Sequence, residues 1–134
     1  MLVIKRNLVE KLRKHALRES PKEACGVLAG KEGIVSEVYE CNNVSEYPET
    51  TYEIAPEDLL KAIEDIESKG LEVLGFYHSH PMGLSRPSLI DEGRAIWPGY
   101  SYVIVSLSGE PSISAWRWNE DEGKFEEEAV SCSE

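Results

Sequence analysis

The sequence predicts an α+β domain in which helices flank a mixed or mainly antiparallel sheet. Three observations lead there. A chain of 134 residues suits a single core. A composition of 41% hydrophobic residues, with three Trp, six Tyr and two Phe, is that of a globular chain. The elements run α, β, β, β, α, β, α, β, β, with a further strand near the C-terminus. Too few helices separate successive strands for a doubly wound sheet.

Each element has a local cause. Leu8, Val9, Leu12, Ala16 and Leu17 recur at helical spacing, with Asn7 as a cap and Glu10/Lys14 as an i,i+4 pair, giving a helix over 8–18. Ser20-Pro21 ends it, because proline has no N–H to continue the ladder. Small apolar residues over 24–30 form a buried strand, and a β-rich stretch over 34–41 follows. A polar loop through Asn42, Asn43 and residues 45–49 precedes a short strand at 51–54. Pro56 starts a second helix with Leu59, Leu60, Ile63 and Ile66 on its apolar face and Gly70 at its end. Residues 71–77 form an apolar strand leading into His78-Ser79-His80-Pro81, and a loop over 83–87 follows. A helix starts near Ser88 and runs to about Ile96. Strands over 102–107 and 112–118 join across Gly109, and one more is expected over 125–130. The domain is therefore drawn as 1–130, with 131–134 as a short tail.

Composition excludes several classes of partner. Fourteen Lys and Arg against 25 Asp and Glu leave a formal charge of −11, a field unsuited to neutralising phosphates or anionic lipid. No nucleic acid and no membrane partner is expected. Seven acids and one lysine in the last sixteen residues read as a solvated edge or loose tail. Met1-Leu2-Val3-Ile4 gives way at once to Lys5 and Arg6, too brief for a signal core, so a cytoplasmic protein is expected. Cys25, Cys41 and Cys132 form no C-x-x-C pair, and their odd number argues against a disulfide framework. Trp116 and Trp118 suit a core or a homo-oligomer contact equally.

The chemistry gathers at the end of one strand. Residues i and i+2 of a strand share a face, so His78 and His80 project together while Ser79 points away. Two imidazoles and a carboxylate make a three-ligand zinc site with a fourth position open, and Asp91 is the third ligand. Ser88-x-x-Asp91 also has the spacing of a capping box, and the two roles are compatible. A histidine pair alone is more often structural, and most glutamates are simply solvated. Glu23 is nevertheless a candidate proton carrier, because a carboxylate beside a helix C-terminus is electrostatically disfavoured.

These residues carry a family resemblance over nearly the whole chain. Glu23-x-Cys25-Gly26-x-Leu28-x-Gly30, then His78-Ser79-His80, seven residues, Ser88, two residues and Asp91, resembles the signature of the JAMM (MPN+) metalloproteases. The resemblance implies a curved mixed sheet like that of cytidine deaminases, although the deaminase His-x-Glu and Pro-Cys-x-x-Cys elements are absent. It implies Zn²⁺ on His78, His80 and Asp91, Glu23 as proton carrier and Ser88 as oxyanion stabiliser. It further implies an isopeptidase acting after the Gly-Gly end of a ubiquitin-like small modifier, with segment 42–51 as the edge along which an extended tail would lie. Two alternatives stand beside it: release of cysteine or a short peptide from a sulfur-carrier protein, and a non-catalytic interaction scaffold. Retention of all five motif residues argues against the scaffold.

Overall fold

Among the described residues, eight strands and two helices succeed one another as β1 (Leu2–Lys5), α1 (Arg6–Glu19), β2 (Cys25–Lys31), β3 (Ile34–Cys41), α2 (Pro56–Ser68), β4 (Glu72–His80), β5 (Ser101–Ser106), β6 (Ile113–Asn119), β7 (Lys124–Glu128) and β8 (Val130–Ser133). They come from a computed structural model that describes residues 1–83, 85–88, 91, 97–108 and 112–134. The helix expected over 88–96 lies outside the described residues except at Ser88 and Asp91, as does the Gly109 turn.

All eight strands join one sheet in the order β7-β6-β5-β4-β2-β3-β1-β8. β4 and β5 pair in parallel, as do β1 with β3 and β1 with β8; the remaining pairs are antiparallel. The mixed sheet follows from the connections. Short turns join β2 to β3 and β6 to β7 as hairpins, whereas the longer path from β4 to β5 returns in the same direction.

Each face of the sheet carries a helix. On one face Leu12 and Ala16 of α1 pack with Leu2, Ile4, Leu28, Val35, Tyr77 and Val103. On the other, Ala62 and Ile66 of α2 pack with Cys25, Val27, Ala29 and Cys41. β2 supplies both cores because its side chains alternate, and glycine is required where two other groups come close. A Cβ at Gly26 would stand 2.2 Å from the Tyr39 carbonyl oxygen and 2.4 Å from the Tyr77 ring. The β2–β4 register slips by one between Leu28 and Ala29. That bulge puts Val73 and Phe76, three residues apart, on the α2 face together. No described helix is long and apolar enough to cross a membrane.

Several expectations are corrected. β1 was not anticipated; it feeds straight into α1, so the helix starts at Arg6, Lys5 occupies the N-cap without a side-chain hydrogen bond, and Asn7 lies inside the first turn rather than capping it. The strand expected at 51–54 is reduced to one antiparallel bridge between Asn43 and Ile54. The single strand expected over 125–130 divides at Ala129, and the 131–134 tail is largely strand β8, drawn in by pairing with β1 from Leu2↔Val130 to Lys5↔Ser133. The acidic run is partly tied down: Glu128 bonds the Ser101 hydroxyl at 2.6 Å and pairs with Arg117 at 3.2 Å.

Candidate metal centre

β4 continues past Tyr77 because its parallel pairing with β5 extends through His78↔Ile104 and His80↔Ser106 before Pro81 ends it. The extended backbone puts both histidines on the α2 face, with ring centroids 4.8 Å apart. Both are buried, at 3% and 6% exposure.

Asp91 reaches the same point. Its Oδ2 lies 3.1 Å from His78 Nε2 and 3.0 Å from His80 Nε2, and the two nitrogens are 3.1 Å from each other. Ser88 fixes the carboxylate reciprocally: the Ser88 N–H donates to Asp91 Oδ2 at 2.9 Å, and the Asp91 N–H donates to Ser88 Oγ at 3.1 Å. The cap and the convergence on the histidines therefore coexist, as the spacing allowed.

The near-equilateral triangle of two imidazole nitrogens and one carboxylate oxygen fits a divalent ion. Ligands about 2.0–2.1 Å from a tetrahedral zinc stand roughly 3.3 Å apart, close to the observed edges. A cation bonded to all three atoms also relieves the close approach of two imidazole nitrogens. Burial works to raise the Asp91 carboxyl, but hydrogen bonds from His78 and His80 outweigh it and hold the group well below the usual carboxylate range. Burial lowers His78 against the pull of Asp91, favouring the neutral imidazole that a metal requires.

Glu23 is the fourth member. A Glu23 carboxylate oxygen and the nitrogens of His78 and His80 lie within 4.8 Å of one another, and Glu23 is 4% exposed. Its carboxylate therefore comes to the same point as the two histidines. All five residues singled out in the sequence, Glu23, His78, His80, Ser88 and Asp91, are thus brought together.

Two further residues build the site. Ser79 points away from the histidines and is fully buried; its Oγ accepts the Ala24 N–H at 2.7 Å while its own N–H donates to the Ala24 carbonyl at 3.0 Å. This stitch fixes the residue after Glu23 to the histidine strand. The available signal was a small hydroxyl at the one position of the triplet that faces away. Tyr52 stacks on His78 with centroids 4.5 Å apart and planes 15° from parallel. His78 Nδ1 has no hydrogen-bond partner among the described residues, so this stack orients the ring. Nothing in the polar loop sequence marked Tyr52. Cys25 pairs across the sheet with His78 and with Cys41. Burial pushes its thiol up to about 12, so it serves as small packing rather than chemistry.

Two cavities lie near the site, one bordered by His80 itself and the other reaching it only through Tyr52, which stacks on His78. One of about 450 Å³ is lined by Glu23, Glu49, Thr50, His80, Met82 and Ser88, among others. The second, of about 460 Å³, has aromatic walls from Tyr52, Phe76, Trp97 and Tyr102. Segment 49–54 contributes to both.

The family of prokaryotic homologs of the JAB domain, Prok-JAB, matches residues 5–119. The chain belongs to the JAMM family. It is 40% identical over 118 residues to a desampylase of Haloferax volcanii, covering 87% of this chain and 84% of that one. It is 42% identical over 109 residues to a probable TtuB-protein conjugate cleaving protease of Thermus thermophilus, covering 81% and 72%. A CysO-cysteine peptidase of Mycobacterium tuberculosis is 33% identical over 136 residues, covering 100% and 92%. Among solved structures, a protein from Desulfitobacterium hafniense superposes with a TM-score of 0.88 at 33% identity, covering 100% of this chain and 94% of that one. A JAB1/MPN domain protein from Archaeoglobus fulgidus shares the fold at a TM-score of 0.65 and 21% identity, covering 100% and 98%. Membership of the JAMM family thus accounts for the mixed sheet, which these solved structures share.

Proposed function

We propose that this JAMM protein is a zinc-dependent isopeptidase that hydrolyses the amide bond after the C-terminal Gly-Gly of a ubiquitin-like small modifier. The observation that carries the reading is the 3.0–3.1 Å triangle of His78, His80 and Asp91 with buried Glu23 beside it. The relatives named desampylase and TtuB-protein conjugate cleaving protease support the substrate class.

His78, His80 and Asp91 would hold zinc, which supplies a Lewis acid for activating water and polarising a carbonyl. Glu23 takes a proton from the attacking water and delivers it to the leaving amine, which is too basic to depart as an anion. Ser88 accepts the Asp91 N–H and keeps its own O–H to donate to the oxyanion that develops during attack. Because Glu23 lines the cavity of about 450 Å³, that cavity takes the amine side and the aromatic cavity takes the acyl side. An extended tail on the acyl side would run past Tyr52 and Glu53, just beyond the end of segment 42–51.

A second reading, removal of cysteine or a short peptide from a sulfur-carrier C-terminus, is favoured by the relative named CysO-cysteine peptidase. Both use the same groups and differ only in the amine. Zinc-loaded protein is incubated with a lysine-linked modifier conjugate and, in parallel, with a cysteine-terminated carrier, and product masses are read. Release of modifier ending in Gly-Gly from the lysine conjugate is expected; cleavage of the carrier alone moves the assignment to the second reading, and two intact substrates refute both. Glu23→Gln should keep its zinc and lose roughly 10²–10⁴-fold in turnover.

A further inference from the structure

We infer that Asn43 is a positioning residue for Glu23; the inference rests on the role proposed for Glu23 above. After β3 the chain leaves the sheet at Asn42 and rejoins through the Asn43↔Ile54 bridge, the Val44 N–H donating to the Glu53 carbonyl at 2.9 Å. The excursion between them has no regular strand or helix and is largely exposed. Its organisation comes from one half-buried amide at its base.

Every hydrogen-bonding position of the Asn43 side chain is used. Nδ2 donates to the carbonyls of Glu23 at 3.0 Å, Thr51 at 3.0 Å and Pro48 at 3.4 Å. Oδ1 accepts the N–H groups of Ser45 and Glu53, both at 3.0 Å. Three carbonyls on one side and two N–H groups on the other fix the orientation of the amide. The Glu23 backbone is gripped at both ends by the same loop, because its N–H donates to the Pro48 carbonyl at 2.7 Å. Ser79 secures the following residue from the sheet, so Glu23 is held between the histidine strand and a loop folded around Asn43.

A proton carrier must hold its carboxylate within hydrogen-bond reach of both the water and the amine, and displacement by about 1 Å is enough to cost orders of magnitude. The acceptor half of the amide bonds Ser45 and Glu53 within the loop; the donor half ties Glu23 to that loop, bonding the Thr51 and Pro48 carbonyls together with the Glu23 carbonyl. Asn43→Asp keeps the acceptors and loses every donor bond, to Glu23 and to the loop carbonyls alike, and Asn43→Ala removes both halves without adding charge.

The test compares the zinc-loaded full chain carrying Asn43→Asp or Asn43→Ala with wild type, reading kcat, KM, bound zinc, melting temperature, and amide hydrogen exchange at Glu23. Both variants are expected to keep one zinc and a cooperative melt, to lose about 100-fold in kcat with KM changed less than about threefold, and to exchange the Glu23 N–H faster. Unchanged kcat overturns the inference. A raised KM at constant kcat assigns Asn43 to substrate binding, loss of zinc or fold in Asn43→Asp makes it structural, and a defect confined to Asn43→Asp is an effect of charge; each of these overturns it as well. Should wild type cleave no conjugate, the proposed function fails, and unaltered exchange at Glu23 in the variants would separately overturn the clamp.

Discussion

Orientation of an imidazole is the residue-scale problem at this site. His78 is held by its approach to Asp91 and by the Tyr52 face rather than by a hydrogen bond at Nδ1, which has no partner among the described residues. Removing that face frees the ring to turn, so Tyr52→Ala should weaken zinc binding about 10–100-fold, measured by competition with a chromophoric chelator. Unaltered affinity would mean that the stack does not orient the ligand. At this scale strand alternation and capping-box spacing each turn a sequence interval into a direction in space, and the resemblance to the JAMM signature joined Glu23, His78, His80, Ser88 and Asp91 into one expected site. Tyr52 and Asn43 were not legible, because the path of an irregular loop is set by hydrogen bonds such as those of the Asn43 amide, which leave no periodic trace.

Among the elements, β2 is the hinge of the architecture: it lies between β3 and β4 and sets Cys25 beside His78. Gly26 lets β3 and the Tyr77 ring approach where a methyl group would overlap the Tyr39 carbonyl. Gly26→Ala should therefore destabilise the protein by about 1–3 kcal/mol, read as a lower urea midpoint at unchanged m-value. A midpoint equal to wild type would show that the strands yield freely there. The longer elements were readable from the sequence: α2 begins at Pro56 as expected, and β3 spans the expected 34–41. β1 and β8 were not, since four-residue strands owe their existence to pairing partners far along the chain, here each other and β3.

On the scale of the whole molecule, the α1 face is closed by a buried polar pair, with His15 Nδ1 hydrogen-bonded to the Tyr77 hydroxyl at 2.8 Å. Burial lowers the His15 pKa, with Glu40 opposing it. The unfolded chain therefore takes up this proton first as pH falls. The contribution of neutral His15 to stability is complete above about pH 6.5, declines as pH falls through that value, and stops declining below the folded pKa. Urea midpoints of metal-free wild type and His15→Gln between pH 8 and 5 should show a shallower acid decline in the variant; parallel curves would contradict the assignment. The sheet order itself was beyond the sequence, because nothing in β1 announces that it lies between β3 and β8. Mixed pairing and helices against the sheet followed from element order alone.

The account stands on three candidate ligand atoms gathered within 3.1 Å of one another from β4 and the Ser88 cap. The most direct measurement is zinc stoichiometry by elemental analysis of the purified chain and its His78→Ala and Asp91→Ala variants after exposure to zinc and removal of excess. One zinc per wild-type chain, with little or none in either folded variant, is the predicted result. A wild type that retains no zinc, or variants that retain it as fully as wild type, would contradict the account.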